Sequence, residues 1–160
     1  WRCFSAMGWC NFYGLLWVAL IMVPNIFFAA THPDGFENLY QNKFIESFEQ
    51  IGRFGCFACM IFCPSYLSAG FASPAQKTLY LVLSAVLVAL YCLGWLVFWK
   101  KDGVAKALVL SVLPSVLFFE SGLLLRHTLL MVLSVVFAVC HITLSYKNAV
   151  YKQQKSRAAR

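Results

Sequence analysis

The chain has 160 residues, 61% of them hydrophobic, 17% aromatic and 12% charged, with a formal net charge of +7 and a mean hydropathy of +0.73. A soluble domain carries roughly 25% charged residues, so this chain has too little polar surface to cover itself in water, and a lipid bilayer is the solvent that suits it. The basic excess does not point to nucleic acid. Lys147, Lys152, Lys155, Arg157 and Arg160 lie in the final stretch, and Lys100, Lys101 and Lys106 flank one short loop. Basic residues gathered at the ends of apolar spans are the positive-inside signal, and they suit anionic lipid headgroups.

The sequence opens at Trp1 without a methionine, and further residues are expected upstream. The first apolar span runs over about 8–30 and ends in the turn chemistry of Pro33-Asp34-Gly35. It is too long, and lacks a cleavage pattern, for a signal peptide. A second span, about 44–68, carries charges in its first half. The third, about 77–99, closes on Trp95, Trp99, Lys100 and Lys101, read as an interfacial anchor of aromatic and basic residues. The apolar run that follows is too long for one crossing of ~20 residues. A break at Ser121-Gly122 divides it into spans of about 104–121 and 124–146, followed by a basic cytoplasmic tail over 147–160.

Span length and the lack of two-residue alternation favour helices over a barrel. The expected fold is therefore an all-α integral membrane protein of the cell membrane, a single domain of about five transmembrane helices. The loop at 100–106 and the C-terminal tail together hold eight of the 13 basic residues and are separated by two spans. Placing both in the cytoplasm leaves the N-terminus outside.

Glu46, Glu49, Gln50 and Arg53 are three, four and seven residues apart, which places them on one helical face. Glu49 and Arg53 stand in the favourable acid-first order for an i,i+4 ion pair. Arg53 lies about 10 Å further along the helix than Glu46 at 1.5 Å per residue. Ionisable groups inside a membrane face a protein interior or a water-filled cavity. By depth, Asn25, next to the helix-bending Pro24, and His141 join this stripe. Glu46, Glu49, Gln50, Arg53, His141 and Asn25 are thus the expected ligand or ion pathway, with Glu46 the better proton carrier because it lacks an i+4 cation.

Cys56, Cys59 and Cys63 continue the stripe as thiol candidates. Close helix packing is the plainer reading of such small residues, and a redox pair or soft-metal site the sharper one. No metal is assigned, and no cofactor or catalytic residue is identifiable. Glu120, Arg126 and His127 form a second cluster, expected as an outer gate or as a clasp of Glu120 on Arg126 across the hairpin. His127 is its pH-sensitive member.

The leading expectation is a small transporter or channel-like protein whose polar cavity faces the cytoplasm and takes a small polar or ionic solute. Its other expected partners are anionic lipid headgroups at the basic tail and further copies of itself in a homo-oligomer. The alternatives are an intramembrane enzyme acting on a lipid- or quinone-like substrate and a non-catalytic accessory or receptor subunit.

Overall fold

A computed structural model of the chain describes residues 10–32, 39–64, 66–100 and 103–158. Trp1, the turn at 33–35, Lys101 and Arg160 lie outside the described residues. Five helices follow one another: α1 (Phe12–Thr31), α2 (Lys43–Ile61), α3 (Pro74–Val97), α4 (Val104–Leu124) and α5 (Thr128–Ala158). There are no strands among the described residues, only isolated bridges between Cys10 and Phe62 and between Ser68 and His127.

Local chemistry accounts for the helix starts. The Asn42 side chain accepts the Ile45 N–H at 3.2 Å, and Glu46 accepts the Asn42 N–H at 3.2 Å, so both groups satisfy the open donors at the start of α2. At α3, Ser73 accepts the Gln76 N–H at 3.2 Å, and Pro74 occupies the first helical position, where no donor is lost.

Four helices, α1, α3, α4 and α5, are long and apolar enough to cross a membrane. α2 falls short of that criterion because its 19 residues include Lys43, Glu46, Glu49 and Arg53. Its amphipathicity is inverted relative to a water-soluble helix: Glu49 is buried, whereas Phe44, Phe48 and Phe54 are exposed on the outside of the bundle. The other helices likewise turn Val23, Leu96 and Val139 outward. An apolar exterior this continuous is foreign to a soluble monomer.

The helices form a ring in the order α1, α2, α5, α4, α3 and back to α1, each packed on its neighbours. Small residues set the closest approaches. A Cβ on Gly52 of α2 would lie 2.9 Å from the Phe137 Cβ of α5, and one on Gly14 of α1 would lie 2.0 Å from the Met60 carbonyl oxygen of α2. One end of the ring gathers Lys43, Lys100, Lys106, Lys147, Lys152, Lys155 and Arg157, and the other holds Lys77 and Arg126.

Several expected boundaries are corrected. The second span stops at Ile61 rather than 68, because the residue before Pro64 is driven out of the helical region. The break expected at Ser121-Gly122 falls instead at 125–127. Gly122 is helical, placed where a Cβ would meet Met131 at 2.9 Å. α4 ends in a Schellman motif, with the His127 N–H bonded to the Gly122 carbonyl at 2.8 Å and the Arg126 N–H to the Leu123 carbonyl at 3.2 Å. The tail expected from 147 onward is helical through Ala158 as a continuation of α5. Trp95 is buried against Phe28, with ring centroids 4.7 Å apart, and is not a surface anchor.

Candidate functional site

An axial pocket of about 1530 Å³ lies inside the ring, lined by all five helices. Lys43, Lys152, Gln153, Ser156 and Arg157 stand at its mouth, at the basic end. Phe57, Phe118 and Phe137 meet at its floor, with ring centroids 5.7 Å apart for the first pair and 5.3 Å for the second. The lower wall is therefore aromatic and aliphatic, and the upper wall is polar.

Glu49 is the centre of the polar wall. Its carboxylate pairs with Arg53 one turn along α2 and with the Nδ1 of His141 on α5 at 2.9 Å. Helical spacing on α2 supplies the first contact, and the close approach at Gly52 brings α5 near enough for the second. The His141 ring also stacks on Phe137, centroids 4.6 Å apart, which holds the imidazole over the floor. A buried acid with two cationic or hydrogen-bonding partners is stable where an isolated one is not.

Asn25 joins the pocket through α3. Its Oδ1 accepts the Tyr91 hydroxyl at 2.9 Å, and its Nδ2 donates to the Ile21 carbonyl at 2.9 Å. Gln50 is exposed on the pocket wall. Glu46 also lines the pocket, but one of its oxygens closes the start of α2, so it is a helix cap as well as a wall residue. The six residues expected to share a pathway all reach the pocket, and three of them (Glu49, Arg53 and His141) bond to one another.

The cysteines do not continue the stripe into the pocket. Cys56, Cys59 and Cys63 are buried between helices, none lines the cavity, and the Cys63 thiol donates to the Cys59 carbonyl at 3.4 Å.

The expected clasp between Glu120 and Arg126 does not form. Arg126 occupies the left-handed C′ position of the Schellman turn, φ 52°, and points to the exterior. Glu120 turns the opposite way, into the bundle, where it accepts the Ser84 hydroxyl at 2.5 Å. His127 caps α5, its Nδ1 accepting the Leu130 N–H at 3.2 Å. The three residues are neighbours in sequence with three separate structural roles.

Two pocket residues escaped the sequence reading. By sequence position Lys106 is a loop cation. It is buried, with its ammonium 4.3 Å from the Phe28 ring centroid and 5.5 Å from that of Trp95. A cation over aromatic faces is stabilised by the ring quadrupoles. Its position inside the first turn of an apolar span was the available signal. Tyr91, a phenol in the aliphatic part of α3, was the other.

Comparison of the chain with protein-family models, with curated proteins and with solved structures gave no match.

Proposed function

We propose that this chain is a multi-pass membrane protein of transporter or channel type, whose axial pocket admits a small ionic solute from the cytoplasmic side. All five helices cross the bilayer in this reading, with the N-terminus outside and the C-terminus inside. The concentration of Lys and Arg at the pocket end of the ring supports that orientation. α5 supports it too: 31 residues span about 46 Å at 1.5 Å each. That exceeds a hydrocarbon core of about 30 Å, so its last turns, with Lys152, Lys155 and Arg157, reach the anionic headgroups.

The observation that carries the reading is the pocket itself, large, open at the basic end and floored by aromatic rings, with the bonded set of Glu49, Arg53 and His141 in its wall. Its charged lining comprises Lys43, Arg53, Lys106, Lys152 and Arg157 against Glu46 and Glu49. That balance favours an anion over a cation. Glu49 neutralises Arg53 and so tunes the attraction below the level that would trap the solute.

Reconstitution of the chain in liposomes tests this, with radiolabelled small monocarboxylates and inorganic phosphate as probes and tetraethylammonium as the cationic control. The expected result is saturable anion flux above that of empty liposomes, reduced on the order of tenfold by Arg53→Gln, a loss of about 1.4 kcal/mol. Flux of none of these probes, or flux unchanged by Arg53→Gln and Lys106→Gln, removes the reading.

A further inference from the structure

At the end of the ring opposite the pocket lies a second polar cluster, sealed from solvent. Glu120 of α4 is 7% exposed, Asn11 2%, and Tyr80, Ser84 and Ser121 0%. Ser84 donates to one Glu120 oxygen at 2.5 Å. The other Glu120 oxygen has no hydrogen-bond partner, and the Tyr80 hydroxyl, the Ser121 hydroxyl and the Asn11 amide nitrogen have none beyond their approach to one another. These atoms share one place: the Tyr80 hydroxyl stands beside Asn11 and Ser121 and within electrostatic reach of Glu120. Phe71 covers the cluster with its ring centroid 5.3 Å from that of Tyr80. None of the five residues lines the axial pocket.

Buried polar groups are bonded almost without exception, so so many open positions around one carboxylate call for an occupant. We propose that this cluster binds a single monovalent alkali cation, of which sodium is the natural candidate. The donors are a carboxylate and hydroxyl oxygens, with the Asn11 amide able to turn its oxygen inward, and such hard oxygen ligands suit hard cations. The charge decides the valence. Among the described residues no ion pair reaches Glu120, Arg126 points away and Lys77 lies over the Tyr13 ring at 5.2 Å. One carboxylate is neutralised by one positive charge, whereas a divalent ion leaves an excess charge in the interior. A water molecule satisfies the hydrogen bonds but leaves an ionised Glu120 without a counter-charge, and protonation of the carboxyl is the competing way to neutralise it. The site stands whether or not the axial pocket carries a solute.

Thermal unfolding of the full chain in detergent tests the inference, with sodium, potassium, magnesium and choline chlorides compared at equal ionic strength. A ligand that binds only the folded state stabilises it in proportion to its saturation. The expected result is a melting temperature that rises saturably with sodium above the choline baseline. That rise disappears in Glu120→Gln, and Ser121→Ala or Tyr80→Phe shifts the half-saturating sodium concentration upward. Equal melting temperatures in sodium and choline overturn the proposal in favour of buried water or a protonated carboxyl, and a preference for magnesium overturns the charge argument. If Glu120→Gln does not fold, the milder variants decide: a sodium response unchanged in both overturns the site.

Discussion

The His141 ring on α5 and the Glu49 carboxylate on α2 meet at 2.9 Å although 92 positions separate them, and Arg53 holds the same carboxylate from within α2. One buried acid therefore joins two helices and fixes a cation in the pocket wall. Removing one partner from a buried ionic set costs about 3–5 kcal/mol, because the other charge is left uncompensated. Glu49→Gln is expected to lower unfolding stability toward the lower end of that range, since Arg53 retains some solvent. Pairing it with Arg53→Gln is expected to restore part of the loss. A double-mutant cycle by denaturant unfolding measures this, and strict additivity would show that the two side chains are not coupled.

Gly52 controls how closely α2 and α5 approach. An added Cβ meets the Phe137 Cβ at 2.9 Å and its backbone Cα and N at 3.0 Å, none of which has freedom to move. Gly52→Ala is expected to destabilise the bundle by about 1–3 kcal/mol through overpacking and to weaken the Glu49–His141 contact. Gly55→Ala is the control. There the nearest atom, at 2.8 Å, is the end of the flexible Leu133 side chain, and the helix-propensity gain of about 0.8–1.0 kcal/mol offsets the crowding. Equal melting temperatures for the two variants would contradict the assigned packing.

Arg126 is in a backbone region that disfavours any side chain with a Cβ by roughly 1–2 kcal/mol. Arg126→Gly is expected to stabilise the hairpin by about 1 kcal/mol, the usual advantage of glycine at the C′ position of a Schellman turn. At the next position His127→Asn is expected to retain the cap on α5, and His127→Ala to lose about 1 kcal/mol. Thermal unfolding of the three variants checks the order. A stabilised His127→Ala would refute the capping role.

Tyr40 fastens the start of α2 to the extension of α5. Its N–H donates to the Asn148 Oδ1 at 2.7 Å, and the Lys147 ammonium donates to its hydroxyl at 3.1 Å. The hydroxyl accepts first from Lys147 and then from the Asn42 amide, 3.4 Å away, and both donations lower the phenol pKa below its ordinary value of 10. The folded chain therefore binds fewer protons at this phenol than the unfolded chain between the lowered pKa and 10. The associated stability is fully present above pH 10 and is lost as pH falls through the lowered pKa. Alkaline titration followed by phenolate absorbance is expected to show an early component that disappears in Tyr40→Phe and moves to higher pH in Lys147→Met. A titration curve unaltered by both substitutions would disprove the contact.

The sequence alone determined the features that depend on spacing along one helix. Long apolar runs define α1, α3, α4 and α5 because only chain length and side-chain hydropathy are needed to recognise them. The face shared by Glu46, Glu49, Gln50 and Arg53, and the Glu49–Arg53 pair, follow from a period of 3.6 residues. Tertiary structure decided everything that requires two helices at once. It brought His141 to Glu49, Tyr91 to Asn25 and Ser84 to Glu120, contacts whose partners lie 92, 66 and 36 positions apart. It also separated residues that sequence proximity had joined. A left-handed turn at Arg126 sends its side chain outward while Glu120, on the inner face of α4, points into the ring. Hydropathy carries no information about the rotation of one helix against another. That rotation is set by close packing at positions such as Gly14, Gly52 and Gly122, where the absence of a side chain allows the backbones to meet.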